Sequence, residues 1–183
     1  MSTLTLKNLQ GTYPANRIAV PTGHTLYAPG HVVQVVQYNY TGSTSIATGT
    51  YTALPITATI TPTSTSSKIL VRCVVHVGAT GGNEGLHGRL YRNGSVVTIY
   101  GDTAGSRDTA WFHCGAHSSA YEQYPATSEY LDSPASTSAL TYTIYARGHS
   151  ASYPIYINTN EGDYNTEYTS RTVSSITLME IAQ

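Results

Sequence analysis

Between Ile69 and Val77 the chain alternates without a break. Ile69, Val71, Cys73, Val75 and Val77 fall on one side of an extended backbone, and Leu70, Arg72, Val74 and His76 on the other. A face that is apolar along its whole length needs a second layer to cover it, so the unit must be a sandwich or barrel. The same period recurs in Ile56, Ala58 and Ile60 against Thr57, Thr59 and Thr61, and in Leu140, Tyr142, Ile144 and Ala146. "HVVQVVQYNY", from His31, is rich in Val and reads as a strand buried on much of both faces. "TAWFHCGAH" is a short strand, and "RTVSSITLMEIAQ" closes the chain as another. Tyr153, Ile155 and Ile157 share a face, but Pro154 demotes that strand to an edge or the end of a sheet.

Turn chemistry agrees with this reading. Asn93-Gly94 supplies the two positive φ angles of a type I′ hairpin between β-rich arms. "GATGGNEGLHG" is a glycine-rich loop, and "SSAYEQYPATSEY" is polar and aromatic and reads as a surface loop. Sixteen Tyr stand against two Met and one Phe, so helix formers are scarce. About eight to ten short strands without a helix predict an all-β, jelly-roll-like antiparallel β-sandwich over residues 31–183. Residues 1–30 differ. Pro14, Pro21 and Pro29, with Gly11, Gly23 and Gly30, break regular structure, while Leu4, Leu6, Leu9, Ile18, Val20 and Leu26 are too many apolar groups to leave wet. They predict an extended docking arm.

Charge excludes several functions. Only 10% of residues are charged and the formal net charge is −1, which provides no field for nucleic acid or an anionic lipid surface. No apolar run reaches the ~20 residues of a membrane helix. Cys73 and Cys114 each sit in an apolar, strand-like run and are expected as two buried free thiols, in keeping with assembly in a reducing cytoplasm.

Candidate chemistry is sparse. His113 and His117 bracket Cys114, but on a strand they lie about 13 Å apart, too far for one ion. His31, His76 or His87 would suffice only as a ring around a three-fold axis. Glu122 with Glu129, and Asp102 with Asp108, are the acidic pairs a glycan hydrolase would need, yet ten acids on this chain produce such pairs by chance. Neither a nucleophile elbow nor a phosphate loop is present, so the expectation is a non-enzyme that needs no cofactor or metal. The tyrosines carry more. Tyr121, Glu122, Gln123, Tyr124 and Tyr130 form a candidate recognition loop, since Tyr joins an apolar ring to a polar tip. Tyr153, Tyr156, Tyr164 and Tyr168 form a second cluster around Asn158, Asn160 and Asp163.

Taken in order, "PGHVVQVVQ", "ITATITPTSTSSKILVRCVVHVG", "GRLYRNGSVV", "YLDSPASTSALTYTIYARG" and "SSITLMEIAQ" resemble the globular domains of small fibre and fibre-like proteins of tailed bacteriophages, marine and cyanobacterial ones above all. The resemblance covers about residues 30–183. It implies a trimer of jelly-roll-like domains, similar in outline to the complement and tumour-necrosis-factor type, moored to the particle by its N-terminal arm. Shaft repeats and heptads are missing, which favours a short spike, knob, head fibre or capsid decoration over a long tail fibre.

Physical reasoning adds to the trimer. The mixed face of Leu70, Val74 and His76, with Val33 and Val35 on the Val-rich strand, offers more apolar surface than one sandwich covers. The expected partners are therefore identical copies, other virion proteins of the capsid or tail, and a host-surface glycan or protein. The expected location is the virion. Two roles follow: an adhesion knob, or a decoration protein that cements the particle. Tyr-rich loops far from residues 1–30 favour the first, and loops against the coat favour the second.

Overall fold

A computed structural model describes residues 28–79, 85–115 and 119–183. The docking-arm residues Leu4, Leu6, Leu9, Ile18, Val20 and Leu26, and His117, lie outside the described residues. Among the described residues eleven strands form: β1 (Val32–Tyr40), β2 (Thr44–Ile46), β3 (Thr52–Ile60), β4 (Lys68–Ala79), β5 (Leu86–Arg92), β6 (Ser95–Val96), β7 (Phe112–Cys114), β8 (Tyr124–Asp132), β9 (Leu140–Arg147), β10 (Ile155–Ile157) and β11 (Ser174–Ile181).

The strands build two antiparallel sheets. In the first, β1 lies beside β11, β11 beside β4, and β4 beside β8, with the short β10 and β2 extending the β11 and β1 rows. In the second, β3, β9 and β5 lie side by side, and β6 and β7 share the outer edge of β5 as one interrupted strand. Leaving out β2 and β10, and counting β6 with β7, the eight strands order as 1-8-3-6 and 2-7-4-5. This is the jelly-roll order, in which successive strands mostly cross between sheets.

The expected alternation places the core. Ile69, Val71, Cys73, Val75 and Val77 of β4 are all buried and face Ile56, Ile60, Leu90 and Ile144 of the second sheet. Cys73 and Cys114 are both buried and in no disulfide, and burial pushes the Cys73 thiol up to about 12. The Asn93-Gly94 turn has φ 50° and 79°, as the hairpin demands, although its second arm is only the two residues of β6.

Two expectations need correction. Residues 124–130 of the expected loop are strand: β8 pairs with β4 from Val77↔Tyr124 to Ile69↔Asp132. Its inward side includes small Ala126 and charged Asp132, neither of which signals a core strand, yet both are buried. Strand β1 is not buried on both faces, for it is the edge of its sheet, and Val32 and Val35 are 47% and 55% exposed. The short β10 sits between β4 and β2 at the end of the sheet, with Pro154 just before it.

Among the buried polar residues, three tie separate strands together. Asp132 accepts from the Tyr142 hydroxyl at 2.7 Å, the Arg92 guanidinium and the Ser133 amide. Glu180 is fully buried and accepts from Gln34 Nε2 at 2.6 Å and from the amide and hydroxyl of Thr63, each at 2.7 Å. Burial alone would raise the Glu180 carboxyl, but hydrogen bonds from Gln34, Thr63 and Ser67 outweigh it and hold the group below its ordinary value.

The third is Asn158, also fully buried. Strands β10 and β11 run along the same edge of β4 and would be one strand but for an excursion over residues 159–173. Asn158 closes the break. Its side-chain amide donates to the carbonyls of Tyr40 and Gly42 at 2.7 and 2.8 Å, where β1 gives way to β2. Its Oδ1 accepts from Ser174 Oγ at 2.6 Å, and its backbone amide donates to the His76 carbonyl at 3.0 Å. The backbone sits at φ 61°, a region Asn tolerates better than most residues. Gly78 lets the excursion close over β4, because a Cβ there would lie 2.3 Å from the Thr159 carbonyl.

Two outcomes are expected. Asn158→Ala should cost about 3 kcal/mol by denaturant unfolding, and Asn158→Gly nearly as much, because the orphaned carbonyls and not the φ angle dominate. Recovery of wild-type stability in the glycine variant would show that backbone strain is the main term. A carboxyl held below its unfolded value of about 4.3 lends stability that is full above that pH and is lost as pH falls through the folded value. Glu180→Gln should therefore be less stable at neutral pH and should flatten the fall in thermal midpoint below about pH 4.

Candidate functional site

The two ends of the first sheet differ. At one end the described chain begins. The Gly30 amide donates to the Ala182 carbonyl at 2.8 Å, and the Ala182 amide donates to the His31 carbonyl at 3.0 Å. Lys68 and Asp132 lie at this end as well. From Lys68, β4 runs about 30 Å, at ~3.3 Å per residue, to the other end at Val77. There β8 begins at Tyr124, and the turn before it meets the excursion between β10 and β11.

The two tyrosine clusters of the sequence meet at this second end. Tyr121 and Tyr164 stack at a tilt with ring centroids 5.8 Å apart, and both are about half exposed. Gln123 ties the loops: its Nε2 donates to the Ser170 carbonyl at 2.6 Å, and its Oε1 accepts from Thr172 Oγ1 at 2.9 Å. The Glu161 amide donates to the Ala120 carbonyl at 3.1 Å, as does buried Asn160 through its side chain at 3.3 Å. Asp163 accepts from Thr159 Oγ1 at 2.5 Å and from Arg171, whose guanidinium also reaches Ser43. Between them lies a pocket of about 310 Å³, lined by Asn160, Asp163, Tyr164, Thr169 and Arg171. Tyr168 is the most exposed large side chain here, at 76%.

The predicted recognition residues thus divide. Tyr121, Glu122 and Gln123 belong to this loop surface, and exposed Tyr124 stands at its margin. The Glu122 charge beside Tyr124 raises the phenol. Tyr130 does not belong: it lies six residues into β8, opposite Val71, half buried against the core. Asn158 and Asn160 are buried and serve the fold, whereas Tyr153 is exposed and Tyr156 lies in β10.

The remaining candidates also have places. Val35, Leu70, Val74 and His76 share the outward side of the first sheet, with Met179 and Leu131. Val33 sits at the irregularity of β1 between Val32 and Gln34. A shallow hollow of about 220 Å³ opens on this face between Gln37, Arg72, Val74, Thr177 and Met179. The second sheet's outward side is polar by comparison, with Thr57 bonded to Thr143 at 2.9 Å and Thr59 to Thr141 at 2.8 Å. His31 stands where the described chain begins. His76 Nδ1 lies 3.0 Å from the Val173 carbonyl, and His87 is on the other sheet. Glu129 faces Arg72 across the β8–β4 ladder, and Asp102 lies exposed in the loop before β7. Among the described residues no three His, Cys, Asp or Glu side chains are grouped to hold a metal, and no helix is long and apolar enough to cross a membrane.

Sequence reasoning missed a charged cluster on the outward side of the second sheet. Asp108 accepts from the Tyr51 hydroxyl at 2.5 Å and from Arg147 Nε at 2.8 Å, with Arg89 3.5 Å away and His87 3.6 Å away. Arg89 also donates to the Thr109 carbonyl and lies over the Tyr51 ring, 4.2 Å from its centroid. Burial pushes the Tyr51 hydroxyl up to about 12, and the Asp108 carboxylate that accepts its proton adds to this. Burial would raise Asp108, but Tyr51 and Arg147 hold it below its ordinary value. Its partners come from β5, β9 and the segment before β3, so no local spacing announces them.

No known protein family matches this chain, and no curated protein is significantly similar to it.

Proposed function

We propose that the chain is a non-enzymatic structural protein of a tailed bacteriophage virion: a short trimeric fibre, spike or knob, moored by its N-terminal arm and contributing to host-surface attachment. The observation that carries this reading is the polarity of the domain. The Tyr121–Tyr164 loop surface lies about 30 Å, by the length of β4, from the end where the described chain begins. Loops held at the far end of a moored domain are free to meet a host surface, and exposed tyrosines suit a glycan or protein partner.

The trimer draws support from the contrast between the outward faces. One carries a threonine ladder, and the other carries Val35, Leu70, Val74, Leu131 and Met179, with Val35 55% and Leu131 44% exposed. An apolar sheet face of this kind is stabilised when identical copies cover it around a closed axis. The ordered likeness to small phage fibre domains points the same way.

Three experiments test the reading. Val74→Asp should turn a trimer into soluble monomer or aggregate in sedimentation, and an intact trimer would remove that face from the contact. Deleting residues 1–30 should leave the domain folded yet absent from particles; normal incorporation would refute the mooring role. In particles that carry the full-length chain, Tyr121→Ala with Tyr164→Ala should abolish adsorption to host cells. Unchanged adsorption with heat-labile particles would instead mark a cementing protein.

A further inference from the structure

A concavity beside β7 gathers charge in a chain that has little of it. His87 of β5 and His113 of β7 stand side by side with ring centroids 4.8 Å apart. The segment before β7 adds Arg107, Asp108 and Trp111, and together these groups line a cavity of about 430 Å³. Three of the nine Lys and Arg, namely Arg89, Arg107 and Arg147, lie in or against it. His149 is near enough for its charge to act on His87. Against these cations stands Asp108, whose carboxylate is already engaged by Tyr51 and Arg147. Asp102 is exposed in the same segment but does not line the cavity.

The walls have two kinds of chemistry. Trp111 presents a broad, partly exposed indole, the kind of surface on which the C–H face of a sugar ring packs. Arg107 is exposed, so its planar fork is available to a carboxylate or sulfate, and the paired imidazoles supply further N–H donors. We propose that this cavity binds an acidic saccharide, its ring on Trp111 and its carboxylate or sulfate held by Arg107, His87 and His113. The site needs neither a three-fold contact nor the N-terminal arm, so it stands or falls apart from the particle-attachment reading.

A pH dependence follows from the groups that face His87. Burial lowers its affinity for a proton; His113, Arg147 and His149 add to this, and Asp108 opposes them. Arg107 lines the same cavity and also disfavours protonation. A bound anion reverses the balance, so binding tightens as pH falls and His87 charges.

Calorimetric titration of the full chain tests this, with oligogalacturonate, a heparin-derived oligosaccharide, a malto-oligosaccharide and inorganic sulfate as the four probes. At least one acidic oligosaccharide should bind, the neutral one should not, and sulfate alone should be weaker by about tenfold or more. Arg107→Gln, at an exposed position that leaves folding intact, should weaken binding about tenfold. His87→Gln should remove most of the gain in affinity between about pH 8 and 5.5. The proposal is overturned if neither acidic oligosaccharide binds, if malto-oligosaccharide or sulfate binds as tightly, or if Arg107→Gln binds undiminished.

Discussion

One side-chain amide joins two interrupted rows of the first sheet. The β1 row breaks before β2, and the β10 row beside it breaks before β11, at neighbouring points: Tyr40 pairs with Ser174 and Thr44 with Ile157. Breaks of this kind strand carbonyls in a dry interior, where each unpaired group costs about 1–3 kcal/mol. Asn158 answers several at once, with Tyr40 and Gly42 on one side and Ser174 on the other. Only an amide has both donors and an acceptor on so short a stem. The loop surface with Tyr121 and Tyr164 depends on this closure, because the excursion that presents Tyr164 starts there.

The two buried carboxylates act in the same sense at the opposite end. Asp132 links β8 to Arg92 of β5 and Tyr142 of β9, so it ties one sheet to the other through charge as well as packing. Glu180 ties β11 to Gln34 of β1 and to Thr63 between β3 and β4. Each carboxylate has its partners in place, and loss of a partner would leave an uncompensated buried charge. Shifting either strand by one residue would turn these groups outward and apolar ones into water, so they help to define the register.

Much of the fold was legible because burial is periodic. The side of β4 bearing Val71 and Val75, the Asn93-Gly94 turn, and strands β9 and β11 follow from alternation and turn chemistry alone. Strand β8 did not, since Ser128 and Asp132 lie on its inward side, and the groups that satisfy Asp132 are distant in sequence. Strand β1 misled in the other direction: its valines signal burial, yet in a single chain Val32 and Val35 lie open at a sheet edge. The tyrosines were visible as two clusters, but their meeting through Tyr121 and Tyr164 depends on a loop contact that no spacing encodes. The Asp108 cluster was hidden for the same reason.

The excursion between β10 and β11 leaves the sheet and returns to it at almost the same place, since Asn158 and Ser174 share a hydrogen bond of 2.6 Å. Its length is therefore nearly decoupled from the sandwich: doubling a flexible loop adds only about 0.6 kcal/mol of closure entropy. Natural variation or a grafted peptide can be accommodated there while the strands keep their pairing. The scaffold thus separates what must stay constant from what is free to diversify, at a single pair of residues.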